Sequence, residues 1–280
     1  MTQTVHAPGH QADSAWRHFW NRGGWWKAVV AVAVYYGVYQ LLGLLVGAVF
    51  PAKGAVRGAA GSPMDVFIIT GLPILLGCVV LLVFAFSLGW LKELFARQAI
   101  RGHRWMWVAV GVVLAINVSA VLSIDYEKAG AGLVASWLIT GLFVGFAEEV
   151  LTRGFVVNLM RKAGHGELSV AVVSSALFAA MHFGNLFTSD QGLSTTLMQV
   201  VYTFAFGMCM YLALRVTGNL LWPILLHAST DPTLFLHGGN PVNNVFSIVA
   251  SLSTYLVIAT GFILLIVLVV SERRRARELL

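Results

Sequence analysis

The sequence FAEEVLTR, residues 146–153, contains two adjacent carboxylates that directly follow an apolar run, residues 132–147, without a charged residue. Such a run is typical of a helix in a lipid bilayer, where an acidic residue near the centre costs about 2.5–3.5 kcal/mol on insertion scales. Arg153 lies four residues after Glu149 and shares its helix face, whereas Glu148 is rotated from Glu149 by about 100°. The pattern predicts a structural Glu149–Arg153 pair and leaves Glu148 for chemistry. The alternative is a buried ion pair that only fixes helix packing.

The composition indicates a membrane protein along the whole chain. Hydrophobic residues make up 58% of the sequence and charged residues 11%, whereas a soluble domain carries about 25% charged residues. The net charge of +6 does not indicate nucleic acid, because basic residues in membrane proteins mark cytoplasmic loops. Cys78 and Cys209 both lie in apolar runs, without disulfide or zinc-finger spacing. We expect an all-α, polytopic integral membrane protein with membrane lipid as a partner and no nucleic acid.

Apolar runs of about 20 residues, the length that spans a bilayer, recur along the chain. They predict about eight transmembrane helices at residues 28–50, 66–90, 105–124, 130–162, 168–187, 194–215, 220–236 and 245–270. If the N-terminus is cytoplasmic, the outside loops hold only three basic residues, Lys53, Arg57 and Lys128. This asymmetry predicts that both termini are cytoplasmic, and we expect the membrane to be a bacterial inner membrane.

The predicted spans divide the chain into four parts. Residues 1–27 form an N-terminal segment whose tryptophans are typical of an interfacial helix or of an aromatic belt. Residues 28–129 hold transmembrane helices one to three. Residues 130–236 hold helices four to seven, a central core that contains every polar cluster within the spans. Residues 237–280 hold the last helix and a basic tail.

Two further polar clusters interrupt the apolar spans after FAEEVLTR. His182 lies in the fifth span, and His227 and Asp231 share one helix face in the seventh. Glu148 and His182 each lie 17 residues from His165 in the intervening turn, so an antiparallel hairpin brings both to the same depth. A lone histidine in a membrane more often bonds a neighbouring helix than performs chemistry. The three clusters together predict one shared polar site.

Two hydrolytic chemistries suit such a site. Glu148 and His182 could share a water molecule, with the carboxylate as general base. Glu148, His182 and His227 are also a suitable ligand set for a divalent metal such as zinc. In either case water attacks an amide carbonyl, while His227 and Asp231 stabilise the oxyanion or orient the leaving group. The absence of HExxH and GxSxG argues against an ordinary zincin and a nucleophilic serine.

The three motifs, in this order, resemble those of a known family. EExxxR at residues 148–153, FxxxH at 178–182 and HxxxD at 227–231 are similar to the motifs of the CPBP family of intramembrane proteases. This family (CAAX protease and bacteriocin processing, also called Abi) also typically has NLLWP, here at residues 219–223. The resemblance covers about residues 130–235. It implies an endopeptidase, similar to Rce1-type CAAX proteases, that cleaves a membrane-associated protein or peptide.

The resemblance also implies a role for each motif residue. It assigns water activation to Glu148 and His182, oxyanion stabilisation to His227 and Asp231, and support to Glu149 and Arg153. The eukaryotic enzymes usually have asparagine where Asp231 stands, and whether the family uses a metal or a glutamate mechanism stays open. Two other functions remain: a non-proteolytic immunity or scaffold protein of the Abi type, and a proton-coupled carrier. The lack of a recognisable inverted repeat disfavours the carrier.

Overall fold

Long apolar helices dominate the computed structural model, which describes residues 14–50, 62–100, 102–189 and 191–278. Among these residues, seven helices are long and apolar enough to cross a bilayer. Within the described ranges, backbone pairing of the β type is limited to one isolated bridge, residues 124 and 241. The predicted all-α, polytopic membrane fold is confirmed, and the chain is an integral membrane protein.

The helices are numbered here in chain order. They are α1 (Ala15–Asn21), α2 (Trp25–Val49), α3 (Pro63–Leu88), α4 (Leu91–Phe95), α5 (Arg104–Val121), α6 (Tyr126–Lys162), α7 (Glu167–Phe183), α8 (Leu193–Thr217), α9 (Leu221–Gly239), α10 (Val245–Ser251) and α11 (Ser253–Glu278). A short helix, Asn185–Thr188, extends α7. Residues 1–13 and the predicted loop around Lys53 and Arg57 lie outside the described residues.

Two predicted spans differ from the apolar helices of the structure. Helix α9 is the predicted seventh span but is not among the seven apolar helices, because His227, Asp231 and His237 make it more polar. The predicted eighth span is divided at Leu252 into α10 and α11, and α11 alone qualifies as a span. Helix α11 also continues through the predicted basic tail.

Two of the long helices contain irregular turns. In α6, Gly130 has a non-helical conformation (φ 73°, ψ 152°), and a π-helical segment, Val150–Val156, directly follows Glu149. A second π-helical segment, Val66–Gly71, lies in α3 immediately before the α-helical turn that holds Pro73. A proline inside a helix removes one backbone hydrogen bond and crowds the preceding turn, so an irregular turn before Pro73 is expected. Segments of π-helix are rare and occur frequently at functional sites.

Helix α8 lies at the centre of the fold. In its most apolar stretch of 18 residues, 61% of the residues are buried. The corresponding fraction is 22–39% in the other six apolar helices. It packs against α7 on one side and α11 on another, and α6 packs along α9. These contacts place the polar segments of α6, α7 and α9 around the buried surface of α8.

Two glycines bring the backbones of α6 and α9 into direct contact. A Cβ atom added at Gly141 would lie 2.1 Å from Cγ of Pro232, and one added at Gly145 would lie 2.6 Å from the Ala228 nitrogen. Glycines four residues apart are a common means of close helix packing in membranes, because they let backbones approach. The contact brings the carboxylates of α6 beside the polar residues of α9.

A buried ionic cluster fixes the turn between α6 and α7. We call Arg161, Glu167, Tyr211 and Arg215 the turn cluster. The Glu167 carboxylate accepts hydrogen bonds from Arg161 Nε at 2.8 Å and Nη2 at 2.7 Å, and from Arg215 Nη1 at 2.7 Å. The Tyr211 hydroxyl also donates to Glu167. The cluster joins the predicted α6–α7 hairpin to α8.

Candidate functional site

Glu149 is fully buried in α6, directly before the π-helical segment. Its Oε1 atom accepts hydrogen bonds from Arg153 Nη1 at 3.2 Å and from His227 Nδ1 at 2.8 Å. Both partners of the Glu149–Arg153 pair have 0% side-chain exposure. The predicted Glu149–Arg153 contact is therefore present. Glu149 also binds His227 of α9, a contact that helix periodicity did not predict.

Arg153 connects three helices. Its Nη2 donates to the Gly207 carbonyl oxygen of α8 at 2.8 Å, and its guanidinium lies 4.7 Å from the centre of the Phe178 ring of α7. It also donates to the hydroxyl of Thr152, which in turn donates to the Glu148 carbonyl. A Cβ atom at Gly207 would lie 2.8 Å from Nη2, so glycine at this position lets Arg153 approach α8 closely.

His227 lies among three carboxylates. While Nδ1 donates to Glu149, Nε2 is 3.6 Å from Oε2 of Glu148 and 3.8 Å from Oδ2 of Asp231. The side-chain exposure is 3% for His227, 20% for Glu148 and 33% for Asp231. We call Glu148, Glu149, Arg153, His227 and Asp231 the acid–histidine cluster. Because the Glu149 carboxylate only accepts hydrogen bonds, Nδ1 of His227 carries a proton. The other ring nitrogen, Nε2, faces Glu148 and Asp231.

The rings around His227 restrict its orientation further. Phe178 and Phe206 both meet the imidazole edge to face, with ring centres 5.8 Å and 4.9 Å away. Phe178 is also the ring beneath Arg153. The motif phenylalanine of FxxxH therefore supports both the arginine and the second histidine.

The His182 ring is held by a hydrogen bond to the backbone of its own helix, α7. Its Nδ1 lies 3.0 Å from the Phe178 carbonyl oxygen, which only accepts, so Nδ1 carries a proton and a neutral ring keeps its lone pair on Nε2. The sequence predicted that Glu148 and His182 lie at the same depth, which allows them to face each other. The structure brings both to the lining of one cavity, and the imidazole within 4 Å of Glu148 is that of His227.

Two cavities meet at these residues. The first, of about 620 Å³, is lined by His182, His227 and Asp231 together with residues of α8, α10 and α11. The second, of about 250 Å³, is lined by Glu148, His182 and Asp231 together with tyrosines of α2. Because His182 and Asp231 line both, a molecule in one cavity adjoins the other across the acid–histidine cluster.

Asn117 of α5 contacts the turn that holds His227, and the sequence analysis did not identify it. Its Nδ2 lies 2.9 Å from the Ser229 hydroxyl, 2.9 Å from the Thr230 hydroxyl and 3.3 Å from the Leu226 carbonyl oxygen. The signal available in the sequence was an amide within an apolar span, a residue type that commonly bonds a neighbouring helix. Periodicity alone does not say which helix that is.

The predicted metal ligands do not form a ligand set in this arrangement. Across the part of the chain that the structure describes, no group of three His, Cys, Asp or Glu side chains is placed to hold a metal ion. Glu148 and His227 approach each other, but His182 does not complete a group with them. The divalent metal stays a prediction, and the chemistry below is derived from the side chains.

The chain was compared with protein families, curated proteins and solved structures. Residues 130–233 match the family described as type II CAAX prenyl endopeptidase Rce1-like. No curated protein and no solved structure matches the chain. The matched segment contains all three motifs and most of α6 and α9, and the resemblance predicted from those motifs is confirmed. At family level, this match over residues 130–233 supports a CAAX-type intramembrane protease.

Proposed function

We propose that this protein is an intramembrane endopeptidase that hydrolyses a peptide bond of a membrane-associated protein or peptide. The observation that carries the proposal is the position of His227. Its ring is fixed by Glu149 on one side and faces Glu148 and Asp231 on the other, where two cavities meet. A buried ion pair that served packing alone would need neither the extra carboxylates nor the cavities.

Glu148 is the proposed general base. It lines the second cavity and keeps 20% side-chain exposure, so a water molecule can reach it. Nε2 of His182, which has the lone pair in the neutral ring, orients the same water. Glu148 takes a proton from this water as the oxygen attacks the carbonyl carbon of the substrate.

His227 is the proposed donor to the oxyanion. The cluster holds three carboxylates and one guanidinium, so a protonated His227 reduces an excess of negative charge that an apolar interior disfavours. In that form Nδ1–H remains bonded to Glu149 and Nε2–H points to the position of the developing oxyanion. Asp231 has no N–H to donate, and it acts by holding His227 in this form.

All proton transfers of the proposed reaction take place between the water, the substrate and residues of the cluster. Water supplies the hydroxyl that bonds to the carbonyl carbon, and its proton goes to Glu148. When the carbon–nitrogen bond breaks, the departing amine takes a proton from protonated Glu148 or from His227. The products are a carboxylate and an amine, and a final proton transfer restores the starting charges.

A divalent metal remains a proposal for the same site. His182 would have to approach Glu148 and His227 for the three to hold an ion such as Zn²⁺, which would then supply an activated water. We further propose a bacterial inner membrane with both termini cytoplasmic, because basic residues concentrate in the loops on one side.

The test is cleavage of a proteome-derived peptide library by the purified protein in lipid nanodiscs, followed by mass spectrometry of new termini. We expect cleavage by the wild type and a rate at least about 100-fold lower for Glu148→Gln, with an unchanged melting temperature. Glu127→Gln, an exposed carboxylate in the first turn of α6, is the matched control and should cleave normally. EDTA treatment followed by Zn²⁺ addition separates the two mechanisms, because only a metal enzyme loses and regains activity.

Equal cleavage by the wild type and Glu148→Gln would refute the hydrolytic role of this cluster. No cleavage by either, with both variants folded, would favour the non-proteolytic immunity or scaffold function. Both outcomes are distinguishable from unfolding because the melting temperatures are measured on the same samples.

A further inference from the structure

A groove lies between the start of α5 and the end of α11. It shares no described lining residue with the two cavities at the acid–histidine cluster. Its volume is about 660 Å³, and sites for small molecules commonly enclose about 300–1,000 Å³. His103 and Trp105 line it at the start of α5, and their rings stack with centres 6.5 Å apart. We call this groove, lined by His103, Trp105 and one face of α11, the basic groove.

The face of α11 that lines the basic groove changes from apolar to charged along the helix. The apolar part holds Ile266, Val267 and Val270, and the charged part holds Arg274, Arg275 and Glu278. From residue 266 to residue 278 the helix advances about 18 Å. All three apolar side chains are exposed on a helix that is apolar enough to cross a bilayer, so they face lipid tails.

Both helices meet the membrane surface at this groove. In α11 the apolar run ends before Ser271, and SERRRAR, residues 271–277, follows it. In α5 the apolar run begins after Arg104 and Trp105, and tryptophan is enriched where a membrane meets water. The charged part of the basic groove therefore lies at the level of the lipid headgroups, and the apolar part lies at the level of the acyl chains.

The two arginines of the basic groove have no acidic partner among the described residues. Arginines inside the bundle differ, since Arg153 pairs with Glu149 and Arg161 pairs with Glu167. With Glu278 as the acidic residue of the lining, the groove has a surplus of one positive charge, not counting His103. An anion can bind here without displacing a described ion pair.

We infer that the basic groove binds one anionic phospholipid. Its phosphodiester is bound by Arg274 and Arg275, and an acyl chain lies along the apolar part of the groove. Guanidinium groups form charge-assisted hydrogen bonds to phosphate oxygens, and basic pockets between transmembrane helices bind anionic headgroups. A lipid with one negative charge neutralises the surplus charge of the lining, whereas a zwitterionic lipid leaves it unbalanced. The bound lipid contacts both helices and so joins the start of α5 to the end of α11.

A second role for arginines at this end of α11 is to interact with the helix dipole, which favours cations near a helix C-terminus. That role does not require the side chains to line a groove. Arg273 and Arg277 lie in the same turns and do not line it. The two pairs of arginines therefore separate lipid binding from the general effect of positive charge.

The test is titration of the purified full chain in detergent with phosphatidylglycerol, with the bound lipid measured by native mass spectrometry. We expect the wild type to bind one lipid. Arg274→Gln with Arg275→Gln should weaken binding at least about 10-fold, because each basic residue near a membrane surface contributes about fivefold. Arg273→Gln with Arg277→Gln removes the same charge from the same turns and should keep the wild-type affinity.

Glu278→Gln provides a change in the opposite direction. It removes the acidic residue of the lining and should tighten the binding of phosphatidylglycerol, a gain that misfolding does not produce. Phosphatidylethanolamine, which has the same phosphodiester and an added ammonium group, should bind more weakly than phosphatidylglycerol. Glycerol 3-phosphate, which lacks acyl chains, should not displace the bound lipid.

Four outcomes would overturn the inference, and none of them depends on peptide cleavage. The first is no bound phosphatidylglycerol on the wild type. The second is an equal loss of binding in the two double variants, which would indicate general surface charge. The third is equal binding of phosphatidylethanolamine, and the fourth is displacement by glycerol 3-phosphate, which would identify the groove as a site for free phosphate.

Discussion

The molecule contains two buried ionic clusters whose balance of donors and acceptors is opposite. In the turn cluster, a single carboxylate, that of Glu167, is surrounded by two guanidiniums and a phenol. In the acid–histidine cluster, three carboxylates face one guanidinium and one imidazole. The turn cluster lies at a helix turn, whereas the acid–histidine cluster lies where two cavities meet.

This difference separates a cluster that holds structure from one that can move protons. Each oxygen of Glu167 accepts from a donor that remains charged or fixed. Oε2 of Glu149, in contrast, is buried without a hydrogen-bond partner among the described residues, and Oε2 of Glu148 lies 3.6 Å from Nε2 of His227. Acceptors in excess of donors favour taking up protons, which is what a hydrolytic site must do.

The largest effect on stability is expected from Glu167→Gln. The change leaves Arg161 and Arg215 beside a neutral amide, and removing one member of a buried ionic cluster costs about 3–5 kcal/mol. The proposed cleavage rate per folded molecule should stay close to that of the wild type. Thermal unfolding in nanodiscs and peptide cleavage on the same sample measure both quantities.

Glu93→Gln is the matched control for that change. It removes an ion pair with Lys162 at 2.8 Å in which the glutamate side chain is 44% exposed. An exposed pair contributes less than about 1 kcal/mol. A stability loss in Glu93→Gln as large as in Glu167→Gln would contradict the structural role assigned to the turn cluster.

Glu149→Gln should affect both stability and activity. Arg153 loses its ionic partner but keeps the Gly207 carbonyl and the Phe178 ring, so we expect a loss of about 1–3 kcal/mol. The amide also no longer fixes the charge and tautomer of His227, which should slow cleavage at least about 100-fold, as in triads that lose their orienting carboxylate.

The comparison with Glu148→Gln makes this prediction specific. Glu148→Gln should lose activity at an unchanged melting temperature, because the carboxylate is partly exposed and its nearest imidazole nitrogen is 3.6 Å away. Equal melting temperatures for Glu148→Gln and Glu149→Gln would show that the two adjacent carboxylates do not divide structure and chemistry between them.

The smallest effect is expected from Gly207→Ala. The added methyl would lie 2.8 Å from Arg153 Nη2 and 3.1 Å from Ser175, and overpacking of this kind costs about 1 kcal/mol when a flexible side-chain end can shift. Gly111→Ala, where the added methyl meets no described atom within 4 Å, is the control and should not destabilise the protein. Equal unfolding temperatures for the two variants would show that Arg153 does not need its contact with α8.

Local spacing predicted those contacts that a single helix or hairpin determines. The Glu149–Arg153 pair follows from a separation of four residues, and the shared cavity of Glu148 and His182 follows from equal distances to the turn. The contact of His227 with Glu149 joins residues 78 apart in sequence. Helices that are apolar on most faces do not reveal which neighbour they pack against, so this contact was not predictable from periodicity.

The turn cluster was missed for the same reason. Glu167 and Arg215 are 48 residues apart, and each alone reads as a charged residue at the end of a span. The π-helical segment after Glu149 was also not predicted, since no glycine or proline precedes it within the motif. Its presence changes which faces the residues after Glu149 present, although Arg153 still reaches its partner.

The glycine contact between α6 and α9 has a consequence for how a substrate enters. At Gly145 the backbone of α6 meets the backbone of α9, and at Gly141 it meets the ring of Pro232, so neither contact contains a flexible side chain that could rearrange. The distances between the carboxylates of α6 and His227 of α9 are therefore fixed. Gly37, Gly43 and Gly47 of α2 meet no described atom within 4 Å at the position of an added methyl. A substrate consequently has to enter through the other walls of the two cavities, of which the tyrosines of α2 form one beside Glu148.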